Sequence, residues 1–164
     1  MANPGQPTIG PGATGDAVRR AQRALRRTPN LGLTVDGIFG PATETAVKQF
    51  QQGASLVVDG VVGPATWAAL PSGGPMPTLA EGSAGLVVAR LQNVLTNGAP
   101  GQWETTPGPI DEHFGAKTTK AVKAFQAWGG VAVDGVVGDQ TWSVSLHALS
   151  ATLESVVGLD FVLP

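Results

Sequence analysis

Apolar positions recur at helical spacing in two separate blocks of the chain. In the first block the spacing predicts helix 1 over about residues 16–27, helix 2 over about residues 41–52, and helix 3 from Pro64 onward. The apolar positions expected to face inward are Val18, Ala21, Leu25, Ala46, Val47, Phe50, Trp67 and Leu70. Their counterparts in the second block are Val88, Leu91, Leu95, Ala121, Val122, Phe125, Trp142 and Leu146. Few segments alternate as strands do, so the pattern predicts an all-α protein with two three-helix units.

The two blocks are copies of one sequence. Residues 36–67 align without gaps on residues 111–142, with 17 of 32 positions identical. These aligned residues lie 75 positions apart, whereas the upstream segments TGDAVRRAQRAL and AGLVVARLQNVL match at a distance of 70 positions. The second copy therefore carries five extra residues between its first two helices, in a Gly/Pro-rich loop that contains Trp103. We therefore expect a flexible N-terminal segment (residues 1–13), repeat 1 (14–70), a short linker (71–77) and repeat 2 (78–146). A C-terminal helical extension with a tail (147–164) is expected to follow.

A short motif precedes helices 2 and 3 of each repeat, as in VDGIFGPAT and VDGVVGPAT. Asp-Gly favours a tight turn, and the second glycine suits an N-cap with the next residue at the first helical position. The motif residues are Asp36, Gly40, Asp59, Gly63, Asp111, Gly115, Asp134 and Gly138. We expect these carboxylates to organise turns rather than to bind a ligand. One copy has Glu112 where the others have glycine, so that loop is expected to bend differently.

The apolar stripe of the last helix continues beyond the repeat. Trp142, Leu146, Leu149, Leu153 and Val156 are spaced by four, three, four and three residues. This spacing predicts an extended C-terminal helix that reaches Gly158. Such a helix either packs back on its own unit or offers a docking or dimerisation surface.

Composition removes several classes of function. The formal net charge of -2 and the pI of about 5.6 give no basic footprint for nucleic acid, which disfavours DNA binding. The absence of cysteine excludes disulfides and thiolate zinc sites. His113 and His147 do not cluster with carboxylates, so we predict no metal, no cofactor and no catalytic residue.

The ends and apolar runs of the chain bear on its location. No apolar run approaches the length of a membrane span, so no membrane insertion is expected. No signal peptide is visible at the start, MANPGQPTIG. The chain is therefore expected either to stay in the cytoplasm or to be exported by a non-standard route.

Three segments of repeat 1 resemble, in their order and spacing, the peptidoglycan-binding domain family: GDAVRRAQRAL, VDGIFGPATETAVKQFQ and VVDGVVGPATWAAL. The corresponding segments of repeat 2 are LVVARLQNVL, IDEHFGAKTTKAVKAFQ and VAVDGVVGDQTWSVSL. The resemblance covers about 130 residues. It implies two tandem orthogonal three-helix bundles that attach to bacterial peptidoglycan without catalysis, with a cell-wall hydrolase or an assembly protein as a separate partner. It also implies a location at the cell wall or outside the cell if the chain is exported. The alternative is a docking adaptor in a phage-like, injection or secretion assembly, which could self-associate through its C-terminal helix.

The candidate ligand-binding residues are Trp103, Arg19, Arg23, Gln51, Gln126 and His113. Trp103 either stacks on a sugar ring or pins its own loop. The arginines of helix 1 form a solvated face or contact peptide carboxylates or wall phosphates. The two glutamines follow core phenylalanines and could instead bridge loop backbone. His113 is expected at a loop surface.

Overall fold

A computed structural model describes residues 3–28, 33–98, 108–146 and 151–163 of the chain. The chain divides into two compact units, Met1–Pro75 (unit 1) and Met76–Leu163 (unit 2), which contain repeats 1 and 2. Unit 1 contains α1 (Asp16–Arg26), α2 (Pro41–Gly53) and α3 (Pro64–Ala69). Unit 2 contains α4 (Leu86–Asn93), a π-helical turn (Val94–Gly98), α5 (Ala116–Gly129) and α6 (Asp139–Trp142). The predicted all-α architecture of two three-helix units is confirmed.

The remainder of unit 2 is built from short elements. β1 (Ser145–Leu146) pairs antiparallel with β2 (Ala151–Thr152), and α7 (Leu153–Val157) and a 3-10 turn (Leu159–Phe161) follow. This two-residue ladder is a minor addition to a helical unit.

Each unit encloses its own apolar core, formed by the inward faces of its three helices. Trp67 and Trp142 are buried, as their places on the apolar stripes predict. Phe125 is also buried, whereas its counterpart Phe50 is half-buried and packs against the core of unit 1. Burial of these side chains is the main stabilising contribution to each unit.

The segment before α1 packs as part of unit 1. The prediction of a flexible segment over residues 1–13 is therefore wrong for residues 3–13, which the structure describes. Ile9 is buried and bridges Val62 through hydrogen bonds of 3.1 and 2.8 Å. The Trp67 indole Nε1 donates to the Pro7 carbonyl at 2.9 Å. Unit 2 repeats this arrangement, with Leu79 bridging Val137. The packing of this segment was not predictable from the sequence, because its glycines and prolines interrupt any periodic pattern of apolar residues.

The predicted linker at residues 71–77 is also packed in its described structure. Asn3 donates from Nδ2 to the Pro71 carbonyl and accepts from the Gly73 amide, each at 2.9 Å. Met76 is buried in the core of unit 2. We call Pro71–Pro75 the strap because α1 holds it against unit 1.

The extended C-terminal helix is not observed. The helix that begins at Asp139 ends at Trp142, and β1 pairs with β2 where the continuous helix was expected. Leu146 and Leu153 are nevertheless fully buried in the core of unit 2, and Val156 packs against it. The described residues of the stripe that suggested a docking surface are therefore in or against the core of unit 2. Leu149 and His147 lie outside the described residues.

Candidate functional site

Four turns of the same construction shape the molecular surface, two in each unit. Each turn begins at an aspartate and ends at the glycine that is the N-cap of the next helix. The aspartate Oδ1 accepts a hydrogen bond from the backbone N–H two residues later, at 2.9–3.0 Å. The carboxylate therefore closes its own turn, as Asx turns do.

A buried glutamine holds each of these turns from inside its unit. Its Nε2 lies within hydrogen-bonding distance of the aspartate Oδ1, of a turn carbonyl and of the hydroxyl of a buried threonine. Its Oε1 accepts from the N–H groups of the aspartate and of the next residue. In unit 2 the same contacts recur, at 2.9–3.2 Å. The four sets are Gln22–Asp36–Thr43, Gln51–Asp59–Thr66, Gln92–Asp111–Thr118 and Gln126–Asp134–Thr141.

The hydrogen bonds to the turn aspartates lower the pKa values of these carboxyl groups. The backbone N–H two residues on, and then the glutamine amide, lower the pKa of Asp36, Asp59 and Asp134. For Asp111 the Gln92 amide is the largest cause of the lowered pKa, followed by the His113 N–H. The four carboxylates are thus held ionised, and each one accepts hydrogen bonds within its own turn.

The structure removes Gln51 and Gln126 from the ligand-binding candidates. Both are buried, and each amide is occupied by an aspartate turn. A possible backbone role of Gln51 and Gln126 was predictable from the sequence, whereas Gln22, Gln92 and the four threonines were not identified. A signal was present, because every turn aspartate is followed seven residues later by threonine.

The turn at Glu112 bends in the same way as the glycine turns, so the expectation of a different bend is wrong. Glu112 has φ of 67°, while Gly37, Gly60 and Gly135 have φ of 74–75°. This left-handed conformation costs a residue with a Cβ roughly 1–2 kcal/mol. The Gln92 contacts and the bridge between Ala84 and His113 hold it in place.

The exposed tips of the first turns carry different side chains in the two units. The His113 side chain is exposed in unit 2, and Ile38 is 57% exposed at the corresponding position of unit 1. Beside Ile38, a cleft of about 250 Å³ is lined by Leu33, Asp36 and the first residues of α2. Trp103 and its loop lie outside the described residues.

The arginines of α1 form a solvated face only in part. Arg19 pairs with exposed Asp16 at 2.8 Å. Arg23 donates to the Gly73 carbonyl at 3.0 Å, and Arg27 donates to the strap carbonyls of Ser72 and Gly74 at 2.8 and 2.7 Å. Arg26 is buried and donates from Nε to a loop carbonyl at 3.0 Å. Arg19 and Arg23 lie on one helix, whereas His113 lies in the other unit.

Two other features are absent from the described residues. No three histidine, aspartate or glutamate side chains within them are grouped so as to hold a metal ion. In the same residues, no helix combines the length and the apolar character that crossing a bilayer requires.

The model of one protein family matches both units. Its description is "putative peptidoglycan binding domain", and it matches residues 14–70 and 87–144. The N-acetylmuramoyl-L-alanine amidase CwlL of Bacillus licheniformis is 33% identical over 126 residues, which cover 74% of this chain and 33% of that protein. A probable N-acetylmuramoyl-L-alanine amidase of the same organism is 31% identical over 142 residues, covering 84% and 36%. The chain spans about a third of the length of these curated relatives.

Solved structures align with part of the chain. The SleB N-terminal domain is 35% identical with a TM-score of 0.37, covering 38% of this chain and 86% of that one. A peptidoglycan-binding protein from Clostridioides difficile in complex with glutamine hydroxamate is 36% identical with a TM-score of 0.36, covering 38% and 39%.

Proposed function

Because the chain belongs to the family of putative peptidoglycan binding domains, we propose that it attaches to the bacterial cell wall through two tandem modules and is not itself catalytic. The observation that carries the proposal is the family match in both units, over the same recurring turn scaffold. Since a polymeric wall repeats its chemical groups, two modules on one chain can engage neighbouring sites. Such tethering raises avidity by roughly 10²–10⁴ when both sites bind together.

We further propose that attachment places a cell-wall hydrolase near its substrate. The amidase CwlL and the probable amidase of Bacillus licheniformis are 33% and 31% identical to this chain over about a third of their own length. The hydrolase is then a partner of the binding modules. The adaptor alternative receives less support, because described residues of the C-terminal stripe are buried within unit 2.

The residues proposed to contact the wall are Arg19, His113 and Trp103. Arg19 is partly exposed on α1, and His113 is exposed at a turn tip. Trp103 remains a candidate for stacking on a sugar ring. Arginine suits a carboxylate partner, while histidine both donates and accepts hydrogen bonds.

Sedimentation of the full chain with insoluble peptidoglycan sacculi tests this function directly. The fraction removed from the supernatant is measured at low and moderate salt. Trp103→Ala and Arg19→Glu are expected to reduce it, whereas Lys48→Glu serves as the control, since Lys48 is an exposed cation of unit 1 that pairs only weakly with Glu44 at 3.3 Å.

The outcomes separate the alternatives. Sedimentation that persists at moderate salt supports wall attachment. A folded chain that stays in the supernatant at both salt concentrations contradicts it. Equal losses in Arg19→Glu and Lys48→Glu would indicate general charge attraction and remove Arg19 from the contact surface.

A further inference from the structure

Arg20 of α1 has a buried side-chain nitrogen that no described residue satisfies. Its Nε is buried and makes no hydrogen bond in the described part of the chain. Burial, and then the charges of Arg23 and Arg27, lower the pKa of Arg20. A guanidinium nevertheless stays protonated in proteins. Unit 1 therefore holds a partly buried cation among like charges, an arrangement that an incoming anion would relieve.

Arg20 borders a cleft that a small ligand can enter. The cleft has a volume of about 380 Å³, and we call it the Arg20 cleft. Its lining consists of Gln6, Asp16, Ala17, Arg20, Arg23 and Pro75. Two arginines against one aspartate leave the lining with one net positive charge. The aspartate, Asp16, is exposed and already forms an ion pair with Arg19. The charge of Asp16 is therefore balanced by Arg19 rather than by the arginines of the cleft.

One wall of the cleft is fixed in advance by the strap. Arg23 and Arg27 bind strap carbonyls, and Asn3 binds the Gly73 amide. The strap lies so close to α1 that a Cβ added to Gly73 would be 2.0 Å from the Arg20 carbonyl oxygen. A cleft whose wall is already ordered loses little conformational entropy when it binds a ligand.

The corresponding arginine of unit 2 is occupied by its own chain. Arg90 aligns with Arg20 in the repeat, and its Nη1 donates to the Val157 carbonyl at 3.2 Å. Its guanidinium also lies 5.6 Å from the centre of the Phe161 ring. The counterpart of Arg23 is Asn93, which is uncharged. The features that favour an anion in unit 1 are thus replaced in unit 2 by contacts within the protein.

We propose that the Arg20 cleft binds the free carboxylate at the end of a wall peptide, with a small apolar side chain such as that of alanine beside it. The planar guanidinium matches the two oxygens of a carboxylate. Ala17 and Pro75 provide apolar surface next to the cationic groups. A carboxylate carries the single negative charge that balances the lining. This inference rests on the proposed attachment to the wall, and it assigns carboxylate recognition to unit 1.

Titration of the full chain by NMR tests the proposal through the side-chain Nε–H signals of arginine. The probes are each enantiomer of N-acetylalanine, the corresponding primary amides, and inorganic phosphate. We expect the Arg20 Nε–H signal to shift saturably with an N-acetylalanine and not with its amide. Arg20→Gln is expected to weaken binding at least tenfold, and Arg20→Lys, which keeps the charge, to weaken it less. Lys48→Gln removes one cation elsewhere on unit 1 and is expected to leave affinity unchanged.

Several results would overturn the inference. A shift with phosphate but with neither N-acetylalanine would exclude a carboxylate site. Equal losses in Arg20→Gln and Lys48→Gln would attribute binding to overall charge. If the wild-type chain sediments with sacculi while no probe shifts Arg20, the cleft assignment fails and wall attachment stands. If the chain does not sediment but the carboxylate still binds, wall attachment fails instead.

Discussion

Replacement of Gln51 by leucine tests whether the buried glutamines stabilise the fold of the unit in which they lie. The Gln51 amide contacts Asp59 Oδ1, the Val61 carbonyl and the Thr66 hydroxyl, and it accepts from the N–H groups of Asp59 and Gly60. Leucine fills a similar volume but satisfies none of these groups. The contacts to Gly60 and Thr66 are fully buried, so water cannot readily replace the amide there.

The size of the effect follows from those unsatisfied groups. Each buried polar group left without a partner costs about 1–3 kcal/mol, and Asp59 also loses a bond to its ionised oxygen. We therefore expect the free energy of unfolding of unit 1 to fall by about 3–5 kcal/mol. A domain typically has roughly 0.05–0.15 kcal/mol of stability per residue, so this loss is a large part of the total for a unit of this size.

A urea titration of the full chain followed by the NMR signal of the Trp67 indole N–H measures the change. Trp67 is buried and is the single tryptophan of unit 1, so its own signal reports on that unit, whereas total fluorescence would also contain the three tryptophans of unit 2. The control is Gln52→Leu, which makes the same chemical change at an exposed neighbouring position of α2. The reasoning is refuted if Gln51→Leu lowers the unfolding free energy no more than Gln52→Leu does.

Three further predictions concern backbone conformation and pH. Glu112→Gly relieves the positive φ and is expected to raise the unfolding free energy of unit 2 by about 0.5–1 kcal/mol, measured in urea; a decrease would contradict the strain argument. Gly73→Ala places a Cβ against α1 and is expected to lower the thermal midpoint of unit 1, whereas Gly53→Ala, which meets no neighbouring atom, is expected to leave it unchanged or raise it; equal midpoints would contradict the close contact. The turn aspartates have folded-state pKa values below their unfolded values, so stability is present above about pH 4 and is lost as pH falls through the folded values; a pH-independent urea midpoint between pH 5 and 2.5 would contradict this.

The helices and cores were predictable because they depend on local signals. The period of apolar residues located α1, α2 and α3 to within about one residue at each predicted end. Glycine followed by proline marked the starts of α2 and α3, since proline fits the first helical turn and no later one. These signals require no knowledge of distant contacts.

The remaining features depend on contacts between distant parts of the chain. Gln22 lies 14 residues before its aspartate and Gln92 lies 19 residues before its own, so no constant spacing connects them. The apolar stripe after Trp142 predicted a helix, and its described residues do share the core, although the antiparallel pairing of β1 with β2 takes the place of a continuous helix. Ile9 resembles a loop residue until its bridge to Val62 is seen.

The duplicated scaffold and the differences on its surface have separate roles. All four turns use the same glutamine, aspartate and threonine contacts, so these residues maintain the fold and cannot distinguish one ligand from another. The differences lie at positions outside those contacts. Ile38 of unit 1 corresponds to His113 of unit 2, and Arg20, whose Nε has no hydrogen-bond partner among the described residues, corresponds to Arg90, which binds the Val157 carbonyl. Since sequence can change at such positions without loss of the turns, two modules of one fold can come to recognise different groups of the same polymer. If the Arg20 cleft binds peptide carboxylates, unit 2 must reach the wall through other chemistry, and inactivating either unit alone would weaken attachment by a different amount.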